Sequence, residues 1–210
     1  MTALGSTMNF SRAALIDRFE QAAVLVLYGF LVARVWPGDL SADSLAPALV
    51  LVSEGVILFF LLIRRPTNAI SMKPRDWLVA LVGTIAPLLV SKTAEPAFLG
   101  IGVFLMLFGM ITQLSAKFSL RRSFGLVPAN RGVKTGGAYR YVRHPMYLGY
   151  ILSHIGFLLI APTFWNLAVY LVGWACLLLR IEYEERLLSE DAAYQALKLR
   201  VRYRLAPGIY

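Results

Sequence analysis

Six apolar runs separated by polar connections constrain this chain more than any other feature of the sequence. They cover Gln21–Trp36, Ser44–Ile63, Trp77–Val90, Ala97–Ala116, Met146–Ile160 and Phe164–Leu179. A segment of this kind satisfies its backbone polar groups in lipid by forming a helix, and an upright span needs roughly 20 residues. Several of the runs are shorter, so tilt or partial embedding is expected. The pattern predicts an all-α, polytopic membrane protein with five to six spans.

Composition supports the same class. The 210 residues are 58% hydrophobic and 16% charged, and the mean hydropathy is +0.64. This composition is far from that of an ordinary soluble domain. The single cysteine, Cys176, lies within an apolar run and predicts a buried core residue, with neither a disulfide framework nor a metal site. No cleavable signal peptide is expected at the N-terminus.

Cationic residues fall on alternate connections between the runs. They lie before the first run, after the second, in a dense set from Lys117 to Arg143, and again in the tail, whereas Ala161–Thr163 carries no charge. The positive-inside rule therefore predicts that both termini and the long central loop, with any site they form, face the cytoplasm. The net charge of +9 is attributed to this topology and to anionic membrane lipids. Nucleic acid is not an expected partner, because no recognition module accompanies the charge.

The last two runs predict a helical hairpin with polar groups at its open end. Each arm around Ala161–Thr163 rises about 25 Å at 1.5 Å per residue, which returns Tyr147 and Arg180 to a similar depth. Pro145 suits the first turn of a helix and leaves His144 at its mouth. On the returning helix, Glu184 shares a face with Arg180, whereas the next residue, Glu185, points about 100° away and is expected to matter less.

Several interpretations of these residues stay open on the sequence alone. Arg140, Tyr141 and Arg143 suit interfacial anchors, and Arg180 with Glu184 suits an ordinary helix ion pair, but the same groups would also form a pocket for a polar ligand. The tail from Tyr194 to Arg204 would either cover such a pocket or lie on lipid. The glycines of "GVKTGGAY" form no GxGxxG, which excludes a Rossmann nucleotide site.

Two polar residues inside apolar runs also have two interpretations each. Glu54 would be a pocket residue, or else protonated or bonded to a neighbouring helix. His154, seven residues beyond Tyr147 on the same face, favours an interhelical hydrogen bond over a catalytic role.

Three motifs in the C-terminal part carry a specific resemblance. "GGAYRYVRHPMYLGY", then "RIEYEERLL" after one hairpin, and finally "YRLAPGIY" together resemble the isoprenylcysteine carboxyl methyltransferase family and its relatives among phospholipid and thiol methyltransferases. The resemblance runs from about Arg121 to Tyr210. It implies a division of the chain into N-terminal transmembrane helices, residues 1–116, and a C-terminal methyltransferase region, residues 117–210, made of a cytoplasmic loop, the hairpin and a basic tail.

The resemblance implies a membrane methyltransferase that uses S-adenosylmethionine without a Rossmann fold. It places the cofactor pocket on the cytoplasmic side of the C-terminal hairpin. The implied catalytic residues are Arg180 and Glu184, and Arg180 also faces the acceptor substrate. The implied cofactor-binding residues are Arg131, Gly132, Val133, Lys134, Tyr139, His144, Pro145, Met146, Tyr147 and Glu184.

The acceptor implied by the resemblance is a lipid-like or amphipathic small molecule, with an isoprenylcysteine-type carboxylate as the first expectation. The isoprenylcysteine enzymes have an upstream glutamine where this chain reads "RRSFGLVPAN". A phospholipid amine and a thiol are therefore kept as alternative acceptors, and a sterol-type membrane reductase as an alternative enzyme. Membrane lipids are the other expected partners.

Overall fold

The computed structural model describes residues 3–35, 55–91, 93 and 95–210, and within them every regular element is a helix. The α-helices are α1 Ala3–Val35, α2 over residues 55–62, α3 Pro74–Ile85, α4 Leu99–Leu120, α5 Pro145–Ile160, α6 Phe164–Leu188 and α7 Ala192–Arg200. Short 3-10 turns cover Ala86–Leu89, Arg121–Ser123 and Gly137–Arg140. An isolated backbone bridge pairs Ile70 with Ala129. The all-α prediction is confirmed for this part of the chain.

Two of the described helices are long and apolar enough to cross a membrane. They are α4 with its following turn, Leu99–Ser123, and α6, Phe164–Leu188, each 25 residues long. The apolar helix α5 is shorter, with 16 residues, and α3 has 12. Large apolar side chains such as Phe104, Ile111 and Phe164 are exposed on the outer faces of α4 and α6, as expected of surfaces that contact lipid.

The total of five to six spans stays a prediction. The run Trp77–Val90 forms α3 and a 3-10 turn. Most of the run Ser44–Ile63, including Glu54, lies outside the described residues.

Helices α4 and α5 pack against each other at glycines spaced seven residues apart. A Cβ atom added at Gly109 would lie 2.6 Å from the carbonyl oxygen of Gly149, and one added at Gly156 would lie 2.7 Å from the amide of Met106. Gly102 faces Gly156 in the same way at the next contact. Small residues allow two membrane helices to approach this closely, and packing then stabilises the pair. Helix α4 therefore supports α5, including the start of α5.

Gly109→Ala is expected to lower the free energy of unfolding by about 1–3 kcal/mol, because the new methyl group would force the two backbones apart. Gly100→Ala is the matched control on the same helix, since a Cβ there meets nothing within 4 Å and alanine is the better helix former. Thermal unfolding in detergent measures both variants. Equal melting temperatures for the two would contradict the close packing of α4 on α5.

The connections between helices gather at two ends of the bundle according to their charge. At one end Asn166 donates to the carbonyls of Ser91, 2.9 Å, and Ala161, 3.0 Å. At the other end the basic connections contact one another: Arg65 N donates to Arg122 O at 2.8 Å. Within the described residues these contacts join an uncharged connection at one end and two basic connections at the other; the full topology, and the side of the membrane that each end faces, stay predictions.

The main core lies directly beneath the basic end. It joins Val24 and Tyr28 of α1 to Leu61 of α2 and to Leu177 and Ile181 of α6. Cys176 is a buried free thiol beside α3, as the sequence predicted. The core therefore supports the helix ends that carry the polar motifs.

Candidate active site

A pocket opens at the basic end, between the start of α5, the end of α6 and the segment that follows α4. The space within its walls is about 760 Å³, including the solvent at its open side. Its wall includes every predicted cofactor residue except Pro145: Arg131, Gly132, Val133, Lys134, Tyr139, His144, Met146, Tyr147 and Glu184. Residues distant in sequence are thus brought together around one cavity.

Helix α5 positions the "RHPMY" residues through its N-terminus. Pro145 is the first helical residue and His144 its N-cap, so the missing N–H of proline leaves no hydrogen bond unmade. Pro145 is buried, does not line the pocket and begins the helix; its predicted role in cofactor binding stays a prediction. The backbone amide of His144 donates to the carbonyl of Arg204 at 2.8 Å, which joins the pocket to the C-terminal segment.

Glu184 and Glu185 have different environments at the end of α6. Glu184 lies in the pocket wall and accepts a hydrogen bond from the Tyr147 hydroxyl. Its other carboxylate oxygen is 3.7 Å from Nδ1 of His144. Glu184 therefore presents to the cavity a carboxylate that the Tyr147 hydroxyl of α5 orients, with the N-cap residue His144 beside it.

Glu185 is buried and contacts three partners, whereas its smaller expected effect on cofactor binding stays a prediction. Its carboxylate is 2.8 Å from Nε of Arg143, 3.0 Å from Nε of Arg204 and 3.1 Å from Nε2 of His144. It joins α5, α6 and the C-terminal segment behind the pocket. Helical periodicity showed that Glu185 points away from Arg180, but it gave no information on what packs there.

Arg180 lies next to the pocket without lining it. Its guanidinium carbon is 5.2 Å from the centre of the Tyr147 ring, and Nη2 donates to the carbonyl oxygen of Leu126 at 2.9 Å. The side chain is buried, and Nε has no hydrogen-bond partner within the described structure. Arg180 and Glu184 form no salt bridge with each other there, so the interpretation as an ordinary helix ion pair is not supported. Tyr147 separates Arg180 from the cavity.

The segment 124–134, named the pocket loop, forms the wall opposite α5. Ser123 donates through its hydroxyl to the carbonyls of Arg131, 2.9 Å, and Gly132, 3.1 Å. Gly132 has φ +95°, a left-handed conformation that favours glycine. The guanidinium of Arg131, by contrast, points towards α1, where its Nη2 lies 2.6 Å from Oδ1 of Asp17. Other atoms of Arg131 line the cavity.

Helix α7 covers another side of the pocket. Tyr194 and Leu197 are buried and line the cavity, so of the two interpretations of the tail, the covering one agrees with the structure. The helix is capped by Asp191, which accepts from the backbone amide of Ala193 at 2.8 Å and from Nδ2 of Asn130 at 2.7 Å. The hydrogen bonds from Asn130 and Ala193 lower the pKa of Asp191. The bond from Asn130 also joins α7 to the pocket loop.

Tyr139 and Lys134 are among the ionisable groups of the wall outside the membrane-spanning helices that have shifted pKa values. Burial raises the pKa of Tyr139 well above its usual range, and the nearby carboxylate of Glu184 adds to the rise, so Tyr139 is a neutral hydroxyl. Partial burial lowers the pKa of Lys134, with further contributions from the charges of Arg65 and Arg121. Lys134 therefore lies near two other cationic side chains, Arg65 and Arg121.

His154 lies outside the pocket. Its ring stacks on Tyr170 of α6 with centroids 4.6 Å apart. The buried Nδ1 has no hydrogen-bond partner among the described residues. The contact between α5 and α6 is thus a ring stack, where the sequence had suggested an interhelical hydrogen bond.

Fold and pocket together define a helical protein with two helices long enough to cross a membrane and a cavity at one end of the bundle. Residues 97–194, which run from just before α4 into α7, match the model of the phospholipid methyltransferase family. The chain is accordingly a membrane methyltransferase, and enzymes of that family typically use S-adenosylmethionine. The match gives no support to the sterol-type reductase. No curated protein gives a significant match to the chain.

Proposed function

We propose that this protein transfers a methyl group from S-adenosylmethionine, bound in the pocket, to a lipophilic acceptor that approaches Arg180 from the bilayer. The observation that carries this proposal is the position of Tyr147, which lines the solvent-open cavity on one side and contacts the buried Arg180 guanidinium on the other, 5.2 Å from the ring centre. A polar cofactor and a lipid-like substrate need two routes of access. The boundary between these routes lies at Tyr147.

The residues of the pocket fit the cofactor. Aromatic and apolar side chains of Phe124, Tyr139 and Tyr147 line it and suit an adenine ring, while the Glu184 carboxylate is a hydrogen-bond acceptor for ribose hydroxyls or an ammonium group. When bound, S-adenosylmethionine supplies a methyl group on a positively charged sulfur. The family match supports this choice of cofactor over a nicotinamide.

The contribution of the protein to methyl transfer is alignment. Direct displacement at a methyl carbon needs no covalent intermediate, and correct alignment of two reactants supplies about 7–11 kcal/mol of rate acceleration. We expect Glu184 and His144 to orient the cofactor. Tyr147, held by its hydroxyl on Glu184, would keep the boundary between donor and acceptor in place.

For the acceptor we favour a carboxylate of the isoprenylcysteine type. A buried guanidinium with an unpartnered Nε suits a planar anion, which accepts two parallel hydrogen bonds from arginine. A phospholipid amine is the second candidate, because the matching family model is that of phospholipid methyltransferases. The two candidates give different products and are separated by one assay.

The assay uses purified protein, isotope-labelled S-adenosylmethionine and extracts of membrane lipids, with mass spectrometry of the products. A methyl ester on a prenylated cysteine supports the carboxylate, and an N-methylated phospholipid supports the amine.

Glu184→Gln is expected to weaken binding of S-adenosylhomocysteine by roughly tenfold or more, since it removes a charged acceptor. Glu182→Gln, on the exposed side of the same helix, is the control. Failure of the wild-type protein to bind S-adenosylhomocysteine would refute the proposal.

We also propose that the pocket faces the cytoplasm, as the positive-inside rule predicts. In a Cys176→Ala background, a cysteine at position 163 is expected to react with an impermeant maleimide on intact cells. A cysteine at position 140, in the basic connection, should react only after permeabilisation. Labelling of both positions from the same side would refute this topology.

A further inference from the structure

We propose that a buried cluster of Asp17, Glu20, Arg64 and Arg131, named the charge cluster, positions the pocket loop and, through Leu126, the guanidinium of Arg180. This inference rests on the proposed function, because it assigns the cluster a role in cofactor binding and turnover. Three of the four residues lie before the region that matches the family model, residues 97–194. The cluster therefore makes the site depend on the N-terminal helices.

The cluster is a closed set of two carboxylates and two guanidiniums. Arg64 contacts both carboxylates, Glu20 through Nη1 and Asp17 through Nη2, the latter at 3.2 Å from Oδ1. Arg131 Nη2 lies 2.6 Å from Asp17 Oδ1 and 3.4 Å from Glu20 Oε2. All four side chains are at most 1% exposed. Buried charges of this kind are stable only as a complete set, since removal of one leaves another unpaired.

Glu20 also binds the backbone of the pocket loop directly. Its Oε1 accepts from the amides of Leu126 at 2.7 Å and Val127 at 3.3 Å. The carbonyl of the same Leu126 residue accepts from Arg180 Nη2 at 2.9 Å. Leu126 is thus held on one side by α1 and on the other by α6. A shift of the loop would move the partner of Arg180 as well as the wall of the cavity.

The pocket loop is shaped to receive the Arg131 guanidinium. A Cβ atom added at Gly125 would lie 2.8 Å from Cζ of Arg131 and closer still to Nη1, so the guanidinium packs on the bare backbone of this glycine. The side chain of Arg131 extends from the loop to Asp17 of α1. Gly125, which has no side chain, leaves room for the guanidinium. The loop and the cluster therefore form one unit.

Glu20→Gln is the sharpest test, because glutamine keeps an acceptor for the loop amides but removes the charge that balances Arg64 and Arg131. Two quantities are measured: the affinity for S-adenosylhomocysteine by calorimetric titration, and hydrogen exchange of residues 124–134 without ligand. We expect the dissociation constant to rise about tenfold and exchange in the pocket loop to accelerate by a similar factor. Exchange in α4 should stay as in the wild type. If Glu20→Gln does not fold, Asp17→Asn, which weakens one contact to Arg131, replaces it with the same expectations.

Gly109→Ala is the matched control, since it destabilises the bundle at the α4–α5 contact away from the cluster. A purely structural role predicts that both variants weaken binding in proportion to their loss of stability, with no selective exchange at residues 124–134. That outcome, or unchanged affinity and unchanged loop exchange in Glu20→Gln, would overturn the inference. The exchange measurement needs no cofactor, so it separates failure of this inference from failure of the proposed function. A wild-type protein that does not bind S-adenosylhomocysteine but shows selective loop exchange in Glu20→Gln would refute only the cofactor assignment.

Discussion

Arg180→Ala is expected to lower methylation turnover by about a hundredfold or more, with the affinity for S-adenosylhomocysteine changed only a few fold. Arg180 does not line the cavity; its guanidinium contacts the ring of Tyr147, which does line it. If the guanidinium orients the acceptor, its loss misaligns the acceptor with the methyl donor, which lowers turnover while the contacts to the cofactor stay in place. A reactant misplaced by about 1 Å can cost about a hundredfold in rate.

Arg180→Lys separates orientation of the acceptor from a purely structural role. An ammonium is a point charge and cannot supply two parallel hydrogen bonds to a carboxylate, so we expect lysine to restore little turnover. Initial rates and cofactor dissociation constants are measured for both variants, with the exposed Arg186→Ala as control. If lysine restores near-normal turnover, or if affinity and turnover fall together in Arg180→Ala, the acceptor role is wrong and Arg180 only supports Tyr147 and Leu126.

Glu185→Ala is expected to lower the free energy of unfolding by about 3–5 kcal/mol, because it leaves the buried guanidinium of Arg143 without its carboxylate. Glu185 is 4% exposed, and it joins Arg143 and Arg204 at distances of 2.8 and 3.0 Å. These contacts hold the C-terminal segment against the start of α5. Loss of the carboxylate should therefore release the segment and lower cofactor affinity as a secondary effect.

Denaturant or thermal unfolding in detergent measures this effect. Glu182→Ala, one turn away on the exposed side of α6, is expected to change stability by less than about 0.5 kcal/mol. A Glu185→Ala protein as stable as the Glu182→Ala protein would show that the network around Glu185 contributes nothing to the fold.

The sequence by itself determined the local features of the site. Apolar runs and the uncharged connection Ala161–Thr163 predicted the hairpin of α5 and α6, because a helix in lipid must satisfy its own backbone. Pro145 predicted the start of α5, since proline is favoured only in the first turn of a helix. The cofactor residues carried over from the motifs meet at one cavity, with Pro145 behind its wall. Their roles in binding stay a prediction.

Only the tertiary structure decided which distant groups meet. Helical periodicity gave the direction of Glu185 but not its partners, and it could not show that Arg131 points to Asp17 instead of the cavity. Glu20 and Leu126, more than 100 residues apart, share no local pattern. The glycines of α4 and α5 likewise show their role, which is to allow close packing, only when the two helices are in contact. Local patterns report the backbone within a few turns, whereas buried charges and close helix contacts depend on which segments pack together.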